Sequence, residues 1–132
     1  MTQSPARSHR EDAPAGVRCF VLTISDTRTE ATDTSGAAIA SMLEHAGHAV
    51  AGRRLVKDDP SDIRGVVSYA AKSGSHDAVI TTGGTGISAR DGTYDAIASL
   101  FERRLDGFGE LFRALSYQEI GSVAMLSRAA AG

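Results

Sequence analysis

The stretch Asp77-Ala78-Val79-Ile80-Thr81-Thr82-Gly83-Gly84-Thr85-Gly86 decides the fold. Its first half is a short run rich in β-branched residues, the pattern of a buried strand in a parallel sheet covered by helices. It passes without a break into glycines, which can leave a sheet edge through backbone conformations that other residues resist. Downstream, Asp91 to Thr93 opens a helix whose inner face is read as Tyr94, Ile97, Ala98 and Phe101.

Upstream the same unit recurs twice. Val17, Cys19, Phe20, Val21, Leu22 and Ile24 make a nearly continuous apolar run, followed by a polar loop from Ser25 to Thr34. A helix then begins near Ser35, with Ile39, Met42, Leu43 and Ala46 on one face, and Gly47 closes it. The second strand, His48 to Val56, is interrupted by Gly52, Arg53 and Arg54 and reads as lying nearer an edge. Asp59-Pro60-Ser61-Asp62 is a strong helix start, with a capping acid before proline at the first helical position. Ile63, Val66, Val67 and Ala70 follow at helical spacing, and Gly74 ends that helix.

Beyond these units the spacing predicts a helix over Gly109 to Ile120, with Leu111, Phe112 and Leu115 facing inward. Ser122 to Leu126 then reads as the approach to a further strand. Strands alternating with helices at this spacing imply right-handed crossovers and a mainly parallel sheet. Three sure strands are few for such a sheet, so further C-terminal sequence is expected. Met1 to Gly16 carries scattered charges, Pro5 and Pro14 and no apolar stretch, the signature of a disordered leader and not of a signal peptide. Residues 17–132 then form one domain, a size typical of single domains.

Composition narrows the function. Fourteen Lys and Arg against sixteen Asp and Glu give a net charge of −2, without the basic excess of nucleic-acid binders. No apolar run is long enough to span a bilayer. Cys19 is the single cysteine, which excludes an intrachain disulfide and reads as a small core hydrophobe. His9, His45, His48 and His76 show no zinc-ligand spacing. A cytoplasmic protein is expected.

Ligands of open α/β sheets bind outside the carboxyl ends of the strands. Here those ends are Ser25-Asp26, Asp58-Asp59 and the glycine loop leading to Asp91, which parallel topology brings to one edge. Gly83, Gly84 and Gly86 would let a phosphate approach bare backbone amides, although such a loop alone fits a tight turn with no ligand equally well. It has neither the lysine of a Walker loop nor the spacing of a dinucleotide fingerprint. Carboxylates beside a phosphate need a cation between them, and Mg²⁺, held by one or two carboxylates with phosphate oxygens, is the expected one. Asp58 and Asp91 are the candidate ligands. Helix capping is the competing reading for Asp91 and for one of the pair Asp58 and Asp59. One acid suffices as a cap, so Asp59 is read as capping while Asp58 faces the site. Arg53, Arg54 and Arg90 read as solvated surface.

Thr81 to Gly86, followed by Ala89-Arg90-Asp91 and Thr93, resembles the TTGGTG…RD.T signature of the MoaB/MogA family of molybdenum cofactor biosynthesis proteins. Thr23-Ile24-Ser25-Asp26 is similar to the family's first strand end, and Asp33, Ser35 and Gly36 to its D.SG turn. Val56 with Asp58-Asp59 resembles the VPDD segment, with Lys57 in place of the proline. Gly107-Phe108-Gly109-Glu110 with Phe112-Arg113, and Leu126-Ser127-Arg128-Ala129, resemble the GF.E.FR and LSRA stretches. The similarity runs from Val17 to Gly132 in order, and Asp91-Gly92-Thr93-Tyr94-Asp95 is closer to the MoaB branch.

The resemblance implies a three-layer α/β/α sandwich around a mainly parallel, mixed five-stranded sheet with one strand antiparallel. It implies adenylylation of molybdopterin with ATP as substrate and Mg²⁺ as cofactor, in a homotrimer or homohexamer. Asp58 and Asp91 match the family's critical acids, and Ser25, Asp26, Ser35, Gly36, Gly83, Gly84, Thr85, Gly86, Ser127 and Arg128 fall on its substrate- and nucleotide-binding motifs. The family pattern continues past the LSRA stretch into a strand, a PGSP-type loop that helps line the pterin pocket, and a helix. Two other readings stay open: a molybdopterin-binding module without catalysis, and a different nucleotide or sugar-phosphate binder on a similar sheet.

Overall fold

The apolar run after Val17 becomes the middle of a sheet. A computed structural model describes residues 5–83 and 92–132. Along the chain lie α1 (Pro5–Asp12), β1 (Arg18–Ile24), α2 (Thr34–His45), β2 (Ala49–Val56) and α3 (Pro60–Lys72). There follow β3 (Ala78–Thr82), α4 (Thr93–Ala98) and α5 (Asp106–Ile120), with 3₁₀ helices at Glu30–Thr32 and Gly121–Leu126. The strand order is β2-β1-β3, and both pairings are parallel.

Side chains alternate across a strand, so β1 supplies both layers of core. Leu22 and Ile24 pack with Ile63 and Val67 of α3 and Ala96 of α4, with Phe20 and Val56 against the same cluster. Cys19, Val21 and Thr23 turn to the other face and are buried too. There the Thr23 hydroxyl meets Asp33 at the start of α2. The result is an α/β/α sandwich with α2 on one side of the sheet and α3 and α4 on the other.

Local chemistry sets the helix ends. Asp33 caps α2 by accepting from the Gly36 amide at 2.9 Å. Asp59 caps α3 through the Asp62 amide at 3.0 Å, with Pro60 next to it. Gly47 and Gly74 take positive φ where the chain leaves α2 and α3, as the sequence predicts. The β1–β2 register shifts between Cys19 and Phe20. Just past the shift, Phe20 lies over Gly52, where a Cβ would come within 2.9 Å of the ring.

Several expectations need correction. β3 is half-buried along its whole length, not buried on both faces, because among the described residues it is an outer strand with β1 as its one neighbour. On α5, Leu111, Phe112 and Leu115 do not face inward: they are 69%, 43% and 66% exposed. Helical periodicity identifies an apolar stripe, not what covers it, and the sheet face is already occupied by α3 and α4. Ser122 to Leu126 is not a strand approach. At Gly121, where φ is +71°, the chain turns into the 3₁₀ helix packed against α5. On α4 the buried residues are Thr93 and Ala96, while Tyr94, Ile97 and Ala98 are half-buried and Phe101 follows the helix.

The stretch read as a disordered leader contains α1, exposed wherever its side chains are described and carrying an Arg7–Glu11 pair one turn apart. Where the resemblance implies five strands with one antiparallel, the described residues contain three, all parallel. None of the described helices is long and apolar enough to cross a membrane.

Candidate functional site

Parallel pairing brings the ends of β1, β2 and β3 to one edge, and short polar contacts join them there. The Ser25 amide donates to the Val56 carbonyl at 2.9 Å. The Asp58 amide donates to Asp26 Oδ1 at 3.0 Å. Thr93, at the first turn of α4, donates its hydroxyl to Asp58 Oδ1 at 2.8 Å. Ser25, Asp26, Asp58 and Thr93 therefore share the edge that topology predicts. Gly84, Thr85, Gly86 and Asp91 lie outside the described residues.

Gly83 belongs to the same edge for a packing reason. Its φ is +96°, and a Cβ there would collide with the Ile24 carbonyl oxygen. Its identity is thus required by β1 whether or not a ligand binds. The Ser25 hydroxyl oxygen accepts from the amides of Thr27 and Arg28, at 3.3 and 3.1 Å. That closes the turn after β1 and leaves the hydroxyl proton to donate.

The acids at the end of β2 divide their work. Asp59 holds the α3 cap, so Asp58 is released from capping and is tied to Thr93. Thr93 bonds Oδ1 of Asp58, and Oδ2 of the same carboxylate takes no part in that bond. Asp58 carries hard carboxylate oxygens, the donor type that Mg²⁺ takes, and neighbouring Asp26 is engaged by the Asp58 amide. Among the described residues no group of three or more His, Cys, Asp or Glu is placed to hold a metal ion.

Behind this edge, Asp33 is a buried carboxylate. It accepts from Gly36 N at 2.9 Å, Thr23 Oγ1 at 2.8 Å and Arg53 at 3.4 Å. Burial pushes its carboxyl up, but the Gly36 amide, the Thr23 hydroxyl and Arg53 outweigh that and hold it below its ordinary value. Gly36 is buried beneath this cluster, where a Cβ would lie 2.6 Å from Thr23 Oγ1, and its amide is engaged by the cap. Ser35 is exposed in the first turn of α2.

Ser127 and Arg128 lie in a different place. They line a groove of about 410 Å³ with Tyr94, Arg104, Gly109 and Arg113. The connection to the sheet edge runs through α4, where Tyr94 follows Thr93 in the chain. Arg128 pairs with Asp95 at 2.6 Å and stacks 4.2 Å from the centroid of the Tyr94 ring. Sequence reasoning took Thr93 as a helix opener and as part of the RD.T signature, gave it no role at the site, and passed over Arg104. The RD.T spacing could have singled out Thr93, whereas nothing in the charged run Glu102-Arg103-Arg104 distinguishes Arg104.

Residues 20–132 match the family model described as a probable molybdopterin binding domain. Molybdenum cofactor biosynthesis protein B of Halalkalibacterium halodurans is 51% identical over 125 residues, which are 94% of this chain and 74% of that protein. A crystal structure of molybdenum cofactor biosynthesis protein B superposes with a TM-score of 0.85 at 50% identity, over 90% of this chain and 74% of that one. The tungsten cofactor synthesizing protein MoaB from Pyrococcus furiosus gives a TM-score of 0.78 at 41% identity, over 91% and 74%. Matched over nearly its whole length in sequence and in fold, this chain belongs to the molybdopterin-binding domain family that contains the MoaB proteins.

Proposed function

We propose that this chain serves molybdenum cofactor biosynthesis in the cytoplasm by Mg-ATP-dependent adenylylation of molybdopterin. The observation that carries the reading is the half-buried Asp58 carboxylate, free of capping duty and oriented by Thr93 at the edge where β1, β2 and β3 end. An oxygen of the pterin's terminal phosphate bonds to the α-phosphorus of ATP. The bond from that phosphorus to the bridging oxygen breaks, and pyrophosphate leaves with the electron pair.

In this reading Asp58 and Asp91 would hold Mg²⁺, whose chemistry there would be neutralisation of phosphate charge. Thr93 fixes the rotamer of Asp58. Ser25 donates its free hydroxyl proton to a phosphate oxygen, and Asp26 holds the backbone after β2 through the Asp58 amide. Gly83, Gly84, Thr85 and Gly86 are assigned to phosphate binding on the strength of the glycine pattern. Ser35, with Gly36 seating the turn against Asp33 and Thr23, and Ser127 with Arg128 complete substrate binding. The assembly in this reading is a homotrimer or homohexamer.

The test is incubation of the protein with molybdopterin, ATP and Mg²⁺, following adenylylated pterin and released pyrophosphate. Formation of both supports the reading. Pterin binding by folded protein without either product would replace it with a binding module that performs no chemistry.

A further inference from the structure

We infer that the groove between α4, α5 and the C-terminal segment binds the phosphate of a small phosphorylated molecule through Arg104, Arg113 and Arg128. Its volume of about 410 Å³ falls within the roughly 300–1,000 Å³ of small-molecule sites. The three guanidiniums come from three separate parts of the chain: the loop after α4, the middle of α5, and the segment after the last 3₁₀ helix. Each carries five donors and no acceptor.

The protein satisfies these cations incompletely. Arg113 donates to the carbonyls of Ser127 and Ala129, at 3.3 and 3.1 Å. Arg104 donates to the Tyr94 hydroxyl at 3.0 Å. Both partners are neutral, and among the described residues Arg128 alone of the three has an ion-pair partner, Asp95. Asp106 lines the groove as well, without forming an ion pair with any of the three. Positive charge is therefore in excess around one ring, with Arg128 at 4.2 Å and Arg104 at 5.8 Å from the Tyr94 centroid.

Ring stacking holds such cations in place, and an oxyanion relieves their mutual repulsion. Arg113 is seated by design of the backbone: a Cβ on buried Gly109 would lie 2.5 Å from its Nη2 and 2.7 Å from the Ala129 carbonyl. Three forks converging from different parts of the chain match the three terminal oxygens of a phosphate monoester better than the two of a carboxylate. The inference rests on the proposed function only for the roles of Ser127 and Arg128. Phosphate binding by Arg104 and Arg113 requires neither Asp58 nor turnover.

The test is titration of the chain with inorganic phosphate at constant ionic strength, read by NMR at backbone amides and arginine Nε–H groups. Saturable shifts are expected at Tyr94, Arg104 and Arg128. Arg104→Gln, at an exposed position, should weaken binding by about tenfold, the scale of one charge-assisted hydrogen bond. Arg54→Gln on the exposed part of β2 should leave it unchanged. Absence of saturable shifts at Arg104, equal affinity in Arg104→Gln, or shifts confined to Ser25, Thr27 and Gly83 would overturn the inference. Turnover with no phosphate binding in this groove would also overturn it while leaving the adenylyltransferase reading intact. Phosphate binding here without turnover would have the opposite consequence.

Discussion

Thr93 donates its hydroxyl to Asp58 Oδ1 across 2.8 Å, tying the first turn of α4 to the end of β2. Thr93 is buried while Asp58 is only partly so, so the bond aims a carboxylate outward from a fixed base. Thr93→Val keeps the branched shape and deletes the donor. We expect it to lower stability by about 1.5–3 kcal/mol, the range for a hydrogen bond to a charged group. Denaturant unfolding checks this, and an unchanged midpoint would mean that the bond adds nothing to the fold.

Asp59 carries the neighbouring cap, accepting from the Asp62 amide at 3.0 Å. Asp59→Ala should cost about 0.5–2 kcal/mol and leave the rate of the proposed adenylyl transfer near that of the parent. Thermal melts and turnover measured on one preparation separate the two effects. A stable but inactive Asp59→Ala would reverse the roles of the two acids.

The start of β1 is tied to the start of β3 by Arg18 and Asp77. The guanidinium donates at 2.9 and 3.1 Å, and the Arg18 amide at 2.8 Å. The guanidinium and then the amide hold the Asp77 carboxyl down to about 2, against an ordinary 3.8. Because the folded value lies below the unfolded one, the contribution is complete above the unfolded value and is lost as pH falls from 3.8 towards about 2. Asp77→Asn should be less stable at neutral pH, and its melting temperature should fall less than the parent's on acidification through that window. Parallel pH curves for the two proteins would remove Asp77 from the acid response.

Phe108, Leu111, Leu115, Ile120 and Met125 are large apolar residues left exposed on α5 and the following 3₁₀ helix. Burying such a surface favours association. Light scattering should therefore return about three or six times the 13.8 kDa of one chain at micromolar concentration, and Leu111→Glu should lower that mass. A parent protein at the mass of a single chain would contradict the assembly.

Much of this fold and site is legible in the sequence alone. The capping signals at Asp59 and Pro60 are local, so sequence locates them well, and parallel topology follows from strand–helix alternation. The meeting of Ser25, Asp26 and Asp58 was deducible because strand ends must share an edge. What failed was tertiary. Leu111 and Leu115 show which side of α5 is apolar but not that it stays uncovered, and the run from Gly121 to Leu126 has the composition of a strand while packing as a 3₁₀ helix. Arg104 gave no signal at all, since its importance comes from Tyr94, Arg113 and Arg128, which only folding brings near.

The most direct test of the central claim is the rate of adenylylated molybdopterin formation by Asp58→Asn, beside the parent protein at saturating ATP and Mg²⁺. Asparagine keeps the shape and can still accept from Thr93, but it removes the charge that a metal ligand needs. With folding confirmed by an unchanged melt, the rate should fall by about a hundredfold or more, since several kcal/mol of transition-state stabilisation are lost. Parent-like turnover by folded Asp58→Asn would contradict the account.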